Sequence, residues 1–291
     1  MTTALLICEC CLPVPFLSLL LYRDELQVSS TQGVLVGVLA ESSSHRVRIA
    51  GGHDAQKGDY PWLVSIQATN FQQSWPLCSG VLLTPEWVLT AAHCLDSEKP
   101  EWLWVVSGEY DTTIDEGTEQ HLYVDYFIKH PEYTYWEMPY HNDVGLVHLS
   151  TPATLDLYTD VAPVPADSSQ ILTEGRCQEA GWGATKDGGP AATILQWTEV
   201  PLLIPDYCED AYSFPPDPNA LCAGNLQGGV GACTGDNGGG LVCEDPETGA
   251  YIVGGIMSWR EGCARKNLPA VYMSVARYRD WIIGTINQPQ L

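Results

Sequence analysis

Basic residues are scarce in this chain of 291 residues. Lys and Arg together number 13, against 36 Asp and Glu, and the formal net charge at pH 7 is −23. Nucleic acid, heparin-like polyanions and anionic membrane surfaces would all be repelled by so acidic a protein. The composition therefore argues against nucleic acid and against a membrane surface as partners.

Charged residues of both signs are also few, at 17% of the chain, whereas Gly (27) and Pro (20) are frequent. Such a composition fits many turns and short strands better than long helices. Apolar residues make up 45%, with ten Trp and fourteen Tyr. That content is enough for a packed core and excludes wholesale disorder.

The N-terminal region has an apolar run at residues 12–22, LPVPFLSLLLY. The run is too short for a transmembrane helix and contains two prolines. It has the size of a signal-peptide core, although no Lys or Arg precedes it. We interpret residues 1–48 as a leader or signal segment followed by an activation propeptide. A wrongly joined gene start is the alternative.

Eleven cysteines are unevenly placed, with Cys8, Cys10 and Cys11 in the N-terminal region. The other eight are dispersed and even in number, which indicates disulfides and an oxidising compartment. Reduced, buried cysteines or a metal site are the alternatives, but no Cys-x-x-Cys pair occurs among the eight, which argues against zinc. Spacing alone does not give the pairing.

From residue 49 onward, short apolar or alternating runs are separated by turn residues. Examples are residues 62–68, 80–84, 87–92, 144–149 and 251–259. This pattern predicts an all-β sandwich or barrel. Only residues 275–286 have helical spacing, with apolar side chains at i, i+3, i+7 and i+11. A Pro-rich stretch at 161–167 is a plausible link between two halves.

Three motifs carry the chemistry: LTAAHC ending at Cys94, NDVGLVHL beginning at Asn142, and CTGDNGGGLVC beginning at Cys233. On these motifs and their order, residues 49–291 resemble the chymotrypsin/trypsin-like serine proteases. The resemblance implies an all-β fold of two antiparallel six-stranded β-barrels with a C-terminal helix. The barrels would span residues 49–165 and 166–291, with the active site between them.

The resemblance gives His93 the role of general base and Asp143 that of the carboxylate that orients it. A serine hydroxyl is a weak nucleophile until an imidazole takes its proton, and a buried carboxylate fixes the imidazole tautomer. Both residue types therefore match the chemistry that the family performs.

The nucleophile position departs from the family pattern, Gly-Asp-Ser-Gly-Gly-Pro. The chain has Asn237 in place of the serine and Gly240 in place of the proline. A carboxamide has no hydroxyl, and its nitrogen lone pair is delocalised, so no acyl-enzyme is expected. In subtilisin, loss of the serine costs about 10⁶ in turnover. The alternative is a sequence error, since some Ser and Asn codons differ by one base, and that would leave an active serine endopeptidase.

Other parts of the machinery are retained. The backbone N–H groups of Gly235 and Asn237 match the family's oxyanion hole, which needs no particular side chain. Residues 48–52, Arg-Ile-Ala-Gly-Gly, match the family's activation site, where cleavage follows the residue at Arg48. A processing protease that cleaves after Arg48 would free the Ile49 α-amine to pair with Asp236.

The specificity pocket also departs. Gly231 stands where trypsin-like members have an Asp, so the pocket is not expected to select Lys or Arg. Ser258 and Trp259 match the substrate-binding strand, but Arg260 and Ala270 replace two glycines. These replacements predict a pocket that is occluded or that favours an acidic side chain.

The resemblance also implies the disulfide pairing. The four bonds would be Cys78–Cys94, Cys177–Cys243, Cys208–Cys222 and Cys233–Cys263. Each typically stabilises a fold by about 2–4 kcal/mol.

The acidic loop at residues 108–120 resembles the family's calcium loop. Glu109, Glu116 and Glu119 would supply carboxylate oxygens, and Asp111 and Ile114 backbone carbonyls. Hard oxygen ligands suit Ca²⁺. A solvated acidic loop in an acidic protein is the alternative.

The leading hypothesis is a secreted serine protease homologue that lacks the nucleophile and binds a protein or peptide partner. The alternatives are an active serine endopeptidase, if Asn237 is an error, and a calcium-dependent structural or adhesive protein.

Overall fold

The computed structural model describes residues 51–70, 73–96, 98–134, 140–245 and 248–288. The proposed leader and propeptide, together with Arg48 and Ile49 of the activation site, lie outside the described residues and stay predictions. Within the described ranges, no helix has the length and apolar character needed to cross a membrane.

The first barrel contains six antiparallel strands. They are β2 (Leu63–Thr69), β3 (Ser74–Thr84), β4 (Trp87–Thr90), β5 (Leu103–Ser107), β6 (Gln120–Lys129) and β7 (Gly145–Leu149). The strands close in the order β2-β3-β4-β7-β6-β5. Closure pairs every strand on both sides and leaves no open edge.

The second barrel also contains six antiparallel strands. They are β8 (Gly175–Gly181), β9 (Gln196–Leu203), β10 (Ala220–Ala223), β11 (Gly240–Glu244), β12 (Tyr251–Trp259) and β13 (Ala270–Ser274). A short strand, β1 (His53–Asp54), pairs with β9 of this barrel. The order is β9-β10-β13-β12-β11-β8, and pairing of β8 with β9 closes the ring. The predicted fold of two six-stranded β-barrels is confirmed.

Inward-facing apolar side chains fill each barrel. In the first, Ile66, Leu82 and Leu146 are fully buried, and in the second, Val200 and Leu241 are. Burial of one such side chain stabilises the fold by about 1.5–3 kcal/mol. The two cores hold the strand ends in fixed positions, and the candidate site is built on those ends.

Two α-helices complete the fold within the residues that the structure describes. Helix α2 (Val275–Ile286) covers the residues that the helical spacing predicts, and it buries Val275, Tyr278 and Ile282. Helix α1 (Pro205–Ala211) was not predicted from the sequence. It begins at a proline, whose fixed φ suits a first helical position. Its seven residues are too few for a helical period to stand out in the sequence.

The four disulfides are those that the resemblance implies, and they use all eight cysteines of the described chain. The bonds are Cys78–Cys94, Cys177–Cys243, Cys208–Cys222 and Cys233–Cys263. The first anchors the 3₁₀ turn that carries His93 to strand β3. The last joins the loop before Asn237 to the loop after Arg260.

Candidate active site

His93 and Asp143 meet because the strands that carry them are paired. His93 lies in the 3₁₀ turn Ala92–Leu95 after β4, and Asp143 lies just before β7. Thr90 at the end of β4 pairs with Gly145 at the start of β7. The Nδ1 of His93 lies 2.7 Å from Oδ2 of Asp143, and the backbone N–H of His93 donates to Oδ1 at 2.8 Å.

Asp143 is fully buried and receives a third donor from the other barrel. The hydroxyl of Ser258, on strand β12, donates to Oδ2 of Asp143. Burying a carboxylate is costly unless hydrogen bonds replace its hydration. Three donors do so here, and they hold the carboxylate in one orientation beneath the imidazole.

The turn that presents Asp143 has its own support. Asn142 adopts a positive φ of 52°, which is uncommon for a residue with a side chain. Its backbone N–H donates to Oδ2 of the buried Asp217 at 2.7 Å, and the hydroxyl of Tyr278 donates to its Oδ1 at 3.1 Å. These bonds link the turn to helix α2.

Tyr140 stacks on the imidazole of His93, with ring centroids 5.1 Å apart and the planes 14° from parallel. The stacking restrains the plane of the imidazole, whereas the hydrogen bond to Asp143 restrains the ring edge that carries Nδ1. Reasoning from the motifs missed Tyr140, because an aromatic residue three positions before Asp143 belongs to none of them.

Asn237 lies in a tight turn that packs against the first barrel. Its neighbour Gly238 has a φ of 79°, and a Cβ at Gly238 would overlap Oγ1 of Thr90 and the carbonyl oxygen of Ser79. Glycine therefore lets the turn approach His93 closely. The Nδ2 of Asn237 lies 3.1 Å from Nε2 of His93. Its Oδ1 is buried and has no hydrogen-bond partner in the described part of the chain.

Two backbone N–H groups flank the Asn237 side chain. Gly235 has a φ of 104°, and the turn is closed by the N–H of Gly239, which donates to the carbonyl of Asp236 at 3.1 Å. Among the described residues, the N–H groups of Gly235 and Asn237 donate to no acceptor. Such free donors can stabilise an oxyanion.

Asp236 is buried behind this turn. Its Oδ1 accepts from the N–H of Gly183 at 2.9 Å and its Oδ2 from the N–H of Cys233 at 2.8 Å. Glycine at 181 and 183 leaves room for the carboxylate, since a Cβ at either position would overlap it. Burial raises the pKa of Asp236 to about 6, against the lowering effect of the two backbone bonds and of the charge of Arg260.

The predicted pocket residues separate into two groups. Gly231, Arg260 and Ala270 line one pocket, whose free volume is only about 10 Å³. Ser258 and Trp259 lie elsewhere, because the Ser258 hydroxyl contacts Asp143 and Trp259 packs with an aromatic cluster. The Trp259 ring lies 4.7 Å from that of Tyr212 and 5.7 Å from that of Phe214.

One buried acid in this pocket was missed from the sequence. Glu179 on β8 is 6% exposed and lines the pocket with Arg260. Burial raises the pKa of Glu179 to about 7. Strand alternation is the sequence signal that could have identified it. Glu179 lies two residues after the buried Cys177 and therefore shares its inward face.

The acidic loop brings its three glutamates together. One carboxylate oxygen from each of Glu109, Glu116 and Glu119 lies within 4.8 Å of the others. Burial raises the pKa of Glu109 to about 7, and the charges of Glu119 and Glu116 add to the effect. Lys57 lies 3.4 Å from Glu116 and offsets part of this charge.

Asp111 and Ile114, the other two proposed ligands, form the turn of the same loop. The N–H of Ile114 donates to the carbonyl of Asp111 at 3.1 Å, and the Ile114 side chain is 58% exposed. The donor set of carboxylates and carbonyls fits a hard cation such as Ca²⁺.

This fold, with an imidazole and a buried carboxylate at the junction of two β-barrels, defines a chymotrypsin-like serine protease domain. Residues 49–282 match the family described as Trypsin, and the chain belongs to that family.

Three relatives illustrate the similarity. The chain is 36% identical to trypsin-1 of Astacus astacus over 238 residues, which are 80% of this chain and 98% of that protein. It is 36% identical to trypsin V-A of Rattus norvegicus over 239 residues, 82% of this chain and 89% of that protein. It is 37% identical to serine protease 56 of Homo sapiens over 241 residues, 81% of this chain but only 38% of that protein.

Proposed function

We propose that this trypsin-family protein is a secreted, non-catalytic homologue that binds a protein or peptide partner through the surface around its altered active site. The observation that carries the proposal is the side chain of Asn237 at the position of the nucleophile, 3.1 Å from His93. The four disulfides support an oxidising, extracellular setting.

The hydrogen bonds of the site support the proposal that it is inert. The Nδ1–H of His93 donates to Asp143, so Nε2 carries the lone pair that would accept a proton from a nucleophile. Asn237 offers Nε2 an amide N–H instead of a hydroxyl. An amide nitrogen does not lose this proton at neutral pH, and its lone pair is delocalised into the carbonyl. No bond to a substrate carbonyl carbon is therefore expected to form.

Labelling with a fluorophosphonate tests the proposal. The protein is first cleaved after Arg48, so that any activation step is complete. We expect no labelling of the native protein and labelling of the matched variant Asn237→Ser, because His93 and Asp143 are correctly arranged. Stoichiometric labelling of the native protein would overturn the proposal.

An active serine endopeptidase is the second candidate. The intact contacts between His93, Asp143 and Ser258 favour it, since they are the arrangement that an acylating serine requires. Resequencing the locus separates the two candidates directly. A Ser codon at position 237 would support the active endopeptidase, and an Asn codon would exclude that candidate.

Proteolytic processing is part of the proposal. A protease that cleaves after Arg48 would release the α-amine of Ile49, and the buried carboxylate of Asp236 is the counter-ion that such an amine requires. Gly51, two residues later, packs so closely against Gly229 that a Cβ would overlap the Gly229 carbonyl oxygen. This contact supports entry of the new terminus on the side of the pocket.

We also propose a structural Ca²⁺ in the loop of Glu109, Glu116 and Glu119, with backbone carbonyls of Asp111 and Ile114 completing the ligands. The convergence of three carboxylates supports it. The ion would stabilise the loop by neutralising the mutual repulsion of the glutamates. A calcium-dependent structural or adhesive role is the remaining alternative.

A further inference from the structure

Glu179 is an inward-facing acid of the second barrel that the proposed function does not use. The hydroxyl of Tyr272, on β13, donates to Oε1 of Glu179 across the barrel interior. The other oxygen, Oε2, is buried and accepts no hydrogen bond of normal geometry within the described residues, although the backbone N–H of Ala232 is near enough to lower the pKa of Glu179. A buried carboxylate oxygen without a partner is costly, and it marks a position where a cation or a donor belongs.

Arg260 lies in the pocket that Glu179 lines, together with Gly231, Ala232, Ala264 and Ala270. Its Nε is also buried and also without a partner in the part of the chain that is described. Burial lowers the pKa of Arg260, while the charges of Asp236 and Glu179 raise it. In return, the charge of Arg260 lowers the pKa of both acids.

These observations indicate that the chain supplies both charges of its own pocket. We propose that Arg260 is the resident cation and Glu179 the acid, so that Arg260 closes the pocket, and that a compact cation such as an amidinium or guanidinium group binds there once Arg260 is removed.

Charge and space both favour this assignment over an acidic ligand. Glu179 and Arg260 line this pocket, and the buried carboxylate of Asp236 lies in an adjoining space that Glu179 also lines. A ligand carboxylate would add a third negative charge at a site with little water to screen it. The free volume of about 10 Å³ is no more than one water molecule needs. Arg260 therefore fills the pocket and leaves no room for a ligand side chain.

The assignment also explains how the chain can lack an acid at Gly231 and still hold a cation. The negative charge comes from Glu179 on β8, whereas Gly231 lies in the segment between β10 and β11. Because the claim concerns binding and not turnover, it is independent of whether Asn237 is inert.

Calorimetric titration with benzamidine, an aromatic amidine, tests the inference on the full chain at pH 8. We expect no measurable binding by the native protein, clear binding by Arg260→Gly, and binding at least about tenfold weaker by Arg260→Gly/Glu179→Gln, because a charge-assisted hydrogen bond is lost. The matched control is Arg176→Gly. Arg176 is exposed, pairs with Glu199 at 3.4 Å and does not line this pocket, so this variant should remain closed.

Two outcomes overturn the inference. One is benzamidine binding by the native protein as tight as by Arg260→Gly. The other is equal affinity of the single and double variants, which would remove Glu179 from the site. A double-mutant cycle on the free energy of unfolding, with Arg260→Ala and Glu179→Gln, is the second measurement and needs no ligand. Coupled charges give non-additive effects, and strictly additive effects would contradict an electrostatic coupling of the two groups.

Discussion

The carboxamide of Asn237 donates to Nε2 of His93 over 3.1 Å, while Nδ1 of the same ring contacts Asp143 over 2.7 Å. Both nitrogens of the imidazole are therefore engaged by the chain itself. In an active relative the first of these bonds belongs to the nucleophile's hydroxyl. Here the bond comes from the amide N–H of Asn237, whose proton the imidazole cannot remove at neutral pH.

The variant Asn237→Ser should separate chemistry from substrate recognition. A fluorophosphonate is small and reacts with an activated serine without entering the pocket, so we expect it to label the variant. Peptides with Lys or Arg at the cleavage position should not be hydrolysed, because Arg260 fills the pocket. Activity of Asn237→Ser on such peptides, measured with a fluorogenic substrate, would show that Arg260 does not block it. Asn237→Ala is the control and should be inert in both assays.

Gly238→Ala should destabilise the fold. The new Cβ would overlap a side chain and a backbone carbonyl of the first barrel, and alanine disfavours the positive φ. We expect a loss of about 2–4 kcal/mol in the free energy of unfolding, measured with urea.

Gly284→Ala is the matched control for that substitution. Gly284 is exposed on helix α2 and a Cβ there meets nothing within 4 Å. Alanine in a helix is favoured over glycine by about 0.5–1 kcal/mol, so this variant should be slightly more stable. Equal effects of the two substitutions would contradict the close packing at Gly238.

Glu179 should make stability depend on pH. Its pKa is raised from an ordinary value of 4.5 to about 7, so the folded state holds a proton that the unfolded state has lost between these values. Stability should therefore fall as pH rises from about 4.5 to about 7, by about 3 kcal/mol from this group. Asp236, with its pKa raised to about 6, contributes with the same sign.

Glu179→Gln should flatten part of that profile. The measurement is urea unfolding of the native protein and the variant at pH 5 and pH 8. The native protein should lose more free energy of unfolding between pH 5 and pH 8 than the variant does. At pH 5 the two proteins should have similar stability. Parallel profiles would show that Glu179 does not titrate in this window.

Calcium should raise the melting temperature relative to the chelator-treated protein. An ion at 100 times its dissociation constant stabilises by about 2.7 kcal/mol, which is several degrees for a domain of this size. Glu116→Gln should abolish the shift because it removes one of the three converging carboxylates. Asp115→Asn, in the same loop but outside the three, should retain it. An unchanged melting temperature in the native protein counts against the site.

Strands β2, β3, β4, β7 and β12 and helix α2 could be predicted because each contains a short apolar or periodic run that the core requires. His93 and Asp143 could be identified because each lies inside a motif. Helix α1 could not, since seven residues show no period. Tyr140 and Glu179 could not either, because their roles depend on which strands and turns the closed barrels bring together.

Arg260 illustrates the limit most clearly. Its sequence position shows only that a glycine of the pocket is replaced. That replacement predicts either an occluded pocket or one that binds an acidic side chain, and the sequence does not choose between the two. The choice depends on the charges around the guanidinium, and one that the motifs did not indicate, Glu179, is 81 residues away along the chain. Such a partner becomes visible only when the register of β8 is known.

The disulfide Cys233–Cys263 joins the loop before Asn237 to the loop after Arg260. Because these two segments are covalently joined, they cannot separate to admit a ligand. Access to the pocket would then depend on rotation of one arginine side chain about its own bonds.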